Sequence, residues 1–182
     1  NTFSTDSLSI LVEQSTLAWD SLPGIIVSYR VSNIGEDSIN DLHAAMLANW
    51  ELDDSQKNQS SWDLDNSSYA SNEEKDLFAG IRIASDTNVF VNALDYQTLG
   101  EDNESFSDTL KYEILAGQQV DSTGFDALTD VASLTGTNLI TFAPGESRQI
   151  HFILGAADSL SGLYSLFDKL ESNLTSYLAS PP

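Results

Sequence analysis

The densest collection of potential ligand atoms in this chain lies between residues 53 and 76. Asp63-Leu64-Asp65-Asn66-Ser67, with Glu74 following, sets oxygen-bearing side chains at the first, third, fifth and twelfth positions of an EF-hand-type loop. Calcium is held by about six to eight oxygens from carboxylates, amides and carbonyls, so these residue types suit it. The sixth position is Ser68, where the sharp turn of an EF-hand needs glycine, and no flanking helices are evident. The expectation is therefore a looser calcium site within residues 49–76. Its candidate ligands are Asp53, Asp63, Asp65 and Glu74. The competing reading is a solvated acidic loop, and no cofactor is required by either.

Catalytic chemistry finds little to work with. The two histidines, His43 and His151, each fall inside a predicted strand. His151 alternates with Gln149, which directs it most simply toward solvent. No nucleophile elbow, metal-binding histidine pair, phosphate-cradling glycine loop or basic patch is present in the sequence. Aspartate and glutamate are so frequent that a pair placed for glycoside hydrolysis carries no signal. The absence of cysteine excludes disulfides and thiolate zinc sites. Trp19, Trp50 and Trp62 lie near strand ends or loops, where tryptophan more often anchors a core than stacks on a sugar.

Charge narrows the partners. With 28 acidic against 7 basic residues, a formal net charge of -21 repels both nucleic acid and anionic membrane surfaces. It favours solubility in a saline or calcium-bearing medium. No apolar run approaches the roughly 18 residues that a membrane helix needs. The chain starts at Asn1 with no signal-peptide pattern, which leads us to expect a segment processed or excised from something longer. Four Asn-x-Ser/Thr triplets begin at Asn58, Asn66, Asn103 and Asn173.

The elements that would position such residues are mostly strands. Ile25, Val27, Tyr29 and Val31 alternate with polar residues along Gly24–Asn33, the pattern of a half-buried strand. Leu8–Gln14 alternates similarly. Leu42–Leu52 is apolar on both faces at first and reads as a central, covered strand. Leu77–Ser85 and Asn88–Tyr96 read as a hairpin across Asp86-Thr87-Asn88. Late in the chain, Pro144-Gly145-Glu146 marks a turn between Asn138–Ala143 and Arg148–Leu154. Phe106, Leu110, Ile114 and Leu115 predict a short helix capped by Ser105 or Ser107. Leu160, Leu163, Tyr164, Phe167, Leu170, Leu174, Tyr177 and Leu178 trace the stripe of an amphipathic helix over 159–178, capped by Asp158 or Ser159. Asp53–Asp76 reads as one long polar loop. With no repeat and no linker, residues 1–182 form one domain. The predicted fold class is mainly β, an antiparallel β-sandwich with a mid-chain helix and a C-terminal helix.

Several of these pieces carry a likeness. Ser15-Thr16-Leu17-Ala18-Trp19, Ile26–Asn33 and Leu42–Asp54 match loosely, with Asn49-Trp50-Glu51-Leu52-Asp53 standing where an Asp-Trp-Asp pattern is usual. Phe78-Ala79-Gly80-Ile81 and Ala143-Pro144-Gly145-Glu146 through Leu163 continue the match. In these the chain resembles an accessory domain found beside subtilisin-like proteases and in other large secreted proteins of Bacteroidetes-type bacteria. The resemblance implies a sandwich-like, non-catalytic appendage of an extracellular or cell-surface multidomain protein. Its partners would be neighbouring domains of the same polypeptide, or an extracellular glycan or protein. The departures at Asn49 and Glu51 weaken any metal site built on that family's two aspartates. A carbohydrate-binding module, a filament or adhesin subunit and a hydrolase are the alternatives from other classes.

Overall fold

Period-two alternation over half the chain has a physical consequence: each strand offers one apolar face, and two sheets can bury theirs against each other. The computed structural model describes residues 2–5, 9–53, 58–63, 67–84, 88–95, 107–116, 131–139 and 141–180. In chain order its strands begin with β1 (Thr2–Thr5), β2 (Ile10–Ala18), β3 (Gly24–Asn33), β4 (Ile39–Asn40) and β5 (His43–Trp50). They continue with β6 (Gln59–Asp63), β7 (Ser67–Asn72), β8 (Leu77–Ile83) and β9 (Val89–Asp95). Helix α1 (Asp108–Leu115) then precedes β10 (Val131–Asn138), β11 (Thr141–Phe142), β12 (Ser147–Ala157) and the closing helix α2 (Leu160–Ala179).

Seven strands make one antiparallel sheet in the order β1-β2-β3-β12-β8-β7-β6. A three-stranded sheet, β5-β10-β9, packs over its β12-β8-β7-β6 side, and β11 pairs with β4 in a short ribbon. The inner cluster joins Val31, Ile81, Ile83, Ile150 and Phe152 of the large sheet to Ala44, Met46, Ala48 and Trp50 of β5. Helix α2 covers the opposite face of the large sheet, and α1 lies on the outer face of the small one through Ile114, Leu110 and Leu115. The fold class is thus mainly β, an antiparallel sandwich with a short mid-chain helix and a long C-terminal one. Among the described residues, no helix is long and apolar enough to cross a membrane.

Both helices begin where the capping side chains predict. Ser107 accepts from Leu110 N at 3.2 Å, and Ser159 accepts from Gly162 N at 3.2 Å. On α2 the buried stripe is Leu163, Leu166, Phe167, Leu170 and Leu174, while Tyr177 and Leu178 in the last turn are exposed. Each buried member contributes roughly 2 kcal/mol of apolar transfer. Close approach of the helix depends on two glycines. A Cβ at Gly155 would sit 2.7 Å from Leu166 Cδ2, and one at Gly24 would sit 2.7 Å from Leu170 Cδ1. The cation beneath α2, Arg82, is fully engaged. Its Nη1 donates to Asp168 Oδ1 at 2.7 Å, its Nε donates to Ser67 Oγ at 3.0 Å, and its guanidinium lies 5.0 Å from the Phe167 ring centroid.

Three local expectations change. Leu77–Ser85 and Asn88–Tyr96 do not form a hairpin. Strand β8 is already paired on both edges, by β7 and β12, so the chain crosses to the small sheet and β9 pairs with β10. The apolar segment at 42–52 is an edge strand rather than a central one. It is apolar on both faces because Ala44 and Met46 face the sandwich while Ala45 faces α1. Finally, the polar stretch 53–76 is not one loop. It holds β6, β7 and a 3-10 turn at Glu73–Lys75. Its alternation was hidden because the residues that face the small sheet are serines, asparagines and an alanine.

Candidate functional site

The sandwich is unevenly closed. The large sheet is wider than its partner, and the inner faces of β2 and β3 extend past the β5 edge of the small sheet. There a cleft of about 430 Å³ opens between the layers. Ile10, Val12, Tyr29 and Val31 form its floor, and Leu42, His43, Ala44, Ala45 and Leu115 form the opposite wall. Volume and apolar lining both fall in the range typical of small-molecule sites.

His43 is the wall's titratable member. Its side chain is 8% exposed and makes edge-to-face contacts with Phe90 and Tyr112, each at 6.2 Å between centroids. Nε2 lies 3.2 Å from Asp41 Oδ1, close enough for electrostatic attraction but off the line of a good hydrogen bond. Nδ1 is buried with no hydrogen-bond partner among the described residues. Asp41 occupies a left-handed conformation, φ 59°, which aspartate tolerates. Asn138 Nδ2 donates to Asp41 Oδ1 at 3.2 Å, and the Tyr112 hydroxyl donates to Oδ2 at 3.3 Å. The Asn138 amide first, then the facing His43 and the Tyr112 hydroxyl, hold the Asp41 carboxyl below the usual carboxylate range, against a partial loss of hydration. Residues from the β4–β5 turn, the end of β10 and helix α1 thus meet in one polar cluster beside an apolar cleft.

The second histidine departs from expectation. His151 does not face solvent: it is 6% exposed, and its Nδ1 lies 2.7 Å from Ser28 Oγ. The two are directly opposed on the β12–β3 ladder. The alternate set of β12 points toward α2, so the reading that left that face open to water fails once the helix covers it. A serine–histidine contact has the outline of an activated nucleophile. Here it is a cross-strand pair in the middle of a sheet, which is the ordinary way a buried imidazole on a ladder is satisfied.

The calcium ligands are only partly within the described residues. Asp65 lies outside them, and for Asp63 the description extends only to the backbone of β6. Asp53, at φ 65°, has its carboxylate 3.5 Å from Lys75 Nζ, and Glu74 is exposed on the 3-10 turn. Among the described residues, no three carboxylate or histidine side chains gather as a metal would require. Nearby, sequence reading missed two buried amides. Asn58 Nδ2 donates to the Trp50 carbonyl at 3.0 Å, and Asn72 Nδ2 donates to that of Leu52 at 2.9 Å. Their Oδ1 atoms are buried without a partner among the described residues. Asn58, a glycosylation triplet in sequence, is therefore an internal strut.

Trp19 packs into the cluster under α2, and Trp50 donates from Nε1 to Ser133 Oγ at 2.6 Å. Both serve as anchors, while the Trp62 side chain lies outside the described residues. The cleft itself had no periodic signature in sequence. The one available signal was Leu42–Leu52, whose two apolar faces imply cover on both sides. No family model matches this chain, and no curated protein matches it.

Proposed function

We propose that this chain is a non-catalytic accessory domain of a secreted or cell-surface multidomain protein, working beside neighbouring domains of the same polypeptide. One observation carries the reading: Ser28, His151 and Arg82, three side chains that could do chemistry, are engaged in contacts within the fold. His151 and Ser28 satisfy each other across two strands, and Arg82 ties the large sheet to α2. The strong acidic balance and the resemblance to protease-associated appendages support an extracellular setting. The test is direct. Treatment with a fluorophosphonate probe should leave Ser28 unlabelled, and Ser28→Ala should not alter any ester or peptide hydrolysis measured in a purified sample. Labelling of Ser28, together with hydrolysis lost in both Ser28→Ala and His151→Gln, would make the domain an enzyme.

A calcium-stabilised form of the same domain is favoured by the buried Oδ1 atoms of Asn58 and Asn72, which flank the Gln59–Ser71 rung near Asp53. Amide oxygens with unused lone pairs suit a hard cation. Millimolar calcium added to chelator-stripped protein should raise its melting temperature, by the linkage between native-state binding and stability. An unchanged melting temperature removes this form.

A further inference from the structure

Strand β5 ends the small sheet, and the pairing pattern tells which of its backbone groups lie on the outer edge. Leu139 N donates to the Leu42 carbonyl at 2.8 Å, and bonded pairs alternate along an antiparallel ladder. Ala44, Met46 and Ala48 therefore bond to Thr137, Thr135 and Ser133. The far side of β10 agrees: Asn138 N donates to the Asn88 carbonyl at 3.1 Å, so its remaining residues turn to β9. The N–H and C=O groups of Ala45, Leu47 and Asn49 are left pointing away from the sheet, with no partner among the described residues. Edge strands are ordinarily blunted by charge, proline or a bulge. Residues 44–50 contain no charged side chain and no proline, they pair with β10 without a break, and Leu47 is 39% exposed.

The cleft gives that edge a floor. A strand added about 4.8 Å beyond β5 would lie over Ile10, Val12, Tyr29 and Val31, the part of the large sheet that the small one does not cover. We infer that β5 and this floor form a docking site for one extended segment of another polypeptide, added antiparallel to β5, with apolar side chains at alternate positions facing the floor and basic ones between them. In such strand addition the main chain supplies affinity and the alternate side chains supply specificity. Shape excludes a second copy: antiparallel β5–β5 pairing would drive each chain's overhanging β1–β3 into the other's large sheet. A single strand fits where a folded copy does not. Charge selects the intervening residues, since Asp41 and Glu51 bracket β5 in a chain of net charge -21. Register assigns the faces. Residues bonded to Ala45, Leu47 and Asn49 stand directly opposite them and share their α1-facing side, so the basic positions supply the hydrogen bonds. This site goes beyond the accessory-domain reading and does not depend on it.

The probe is a capped peptide of alternating lysine and valine, about nine residues long to span β5, titrated calorimetrically into the full chain with amide exchange followed by NMR. Binding should saturate at one site, slow exchange of the Leu47 and Asn49 amides, and weaken with added salt. N-methylation of the lysine amides should abolish it, whereas N-methylation of the valine amides, which point away from β5, should leave it nearly unchanged. A peptide of alternating glutamate and valine should not bind. Leu47→Pro removes an N–H that the sheet does not use, so the chain should fold, checked by circular dichroism, and bind about 10-fold more weakly. Val12→Lys leaves β5 intact, places a cation on the floor, and should weaken binding as well. Absence of saturable binding, equal losses from the two methylation patterns, equal affinity for the glutamate peptide, or unchanged binding in both variants would each overturn the site. So would a dimer in sedimentation that the peptide dissociates, because a second copy would then hold the edge.

Discussion

The two ends of the sheet-to-sheet interface solve the same packing problem with opposite residues. At the β6–β7 end the facing side chains are small and polar. Ser68 Oγ and Thr135 Oγ1 lie 2.7 Å apart across the layers, Ser60 Oγ donates to the Ala132 carbonyl at 3.3 Å, and Asn58 and Asn72 hold the segment that follows β5. Ala70, between them, is fully buried. At the β2–β3 end the residues are large and aliphatic, yet they do not close, and a cleft remains. Small hydroxyls bring two sheets close enough for direct hydrogen bonds, whereas large apolar groups close an interface only when the opposing layer reaches them. Here the small sheet stops at β5. The polar end is the tightly built one, and the apolar end has room.

Adding the same three carbons at each end breaks this contrast most sharply. Ala70→Leu should destabilise by about 1–3 kcal/mol or more, because the buried position beside Ala79 has no volume to receive it. Ala44→Leu at the cleft wall should be neutral, or stabilising by up to about 1 kcal/mol, as a cavity-filling change. Urea denaturation midpoints compare the two, and equal losses would mean that the ends are packed alike. The polar end can be probed next. Ser68→Ala should cost about 1–3 kcal/mol by leaving the Thr135 hydroxyl unpaired in the interior. Combining it with Thr135→Val should recover most of that loss, since a wholly apolar pair leaves nothing unsatisfied. Additive losses in the double-mutant cycle would show that the two hydroxyls are not coupled.

The smallest effect is with pH. Glu146 is held below its usual range by the Ala143 backbone N–H first and then by Arg148, and Asp41 is held below by Asn138, His43 and Tyr112. A carboxyl whose folded pKa is depressed stabilises the fold above its unfolded value, and that contribution fades as pH falls through the folded one. Melting temperature should therefore hold steady above the ordinary values of 4.5 and 3.8 and decline below them. Asp41→Asn, which removes one of these two carboxyls, should flatten the lower part of that decline.

Much of this architecture could be read one residue at a time. The alternation at Gly24–Asn33 gave a strand with those same limits, and the stripe and cap at 159–178 gave α2 to within a residue or two. Local periodicity decides such elements because each face must match its own solvent or core. The strands at 59–63 and 67–72 were hidden for the same reason. Their inward residues, Ser60, Ser68 and Asn72, look like loop residues until a second sheet supplies hydrogen-bond partners.

Which strand pairs with which is not a local property. The order β1-β2-β3-β12-β8-β7-β6 joins residues more than a hundred positions apart, and it turned an expected hairpin into a crossover. The fate of His151 turned on the same fact, since only the placement of α2 over its face makes it buried. Asp41, His43, Tyr112 and Asn138 likewise come together only because β5, β10 and α1 share one corner. Composition determined that this chain would be an acidic body of strands with no cysteine chemistry. Where its apolar faces fail to meet was decided by sheet widths and register, because a cavity is a relation between distant elements and belongs to none of them alone.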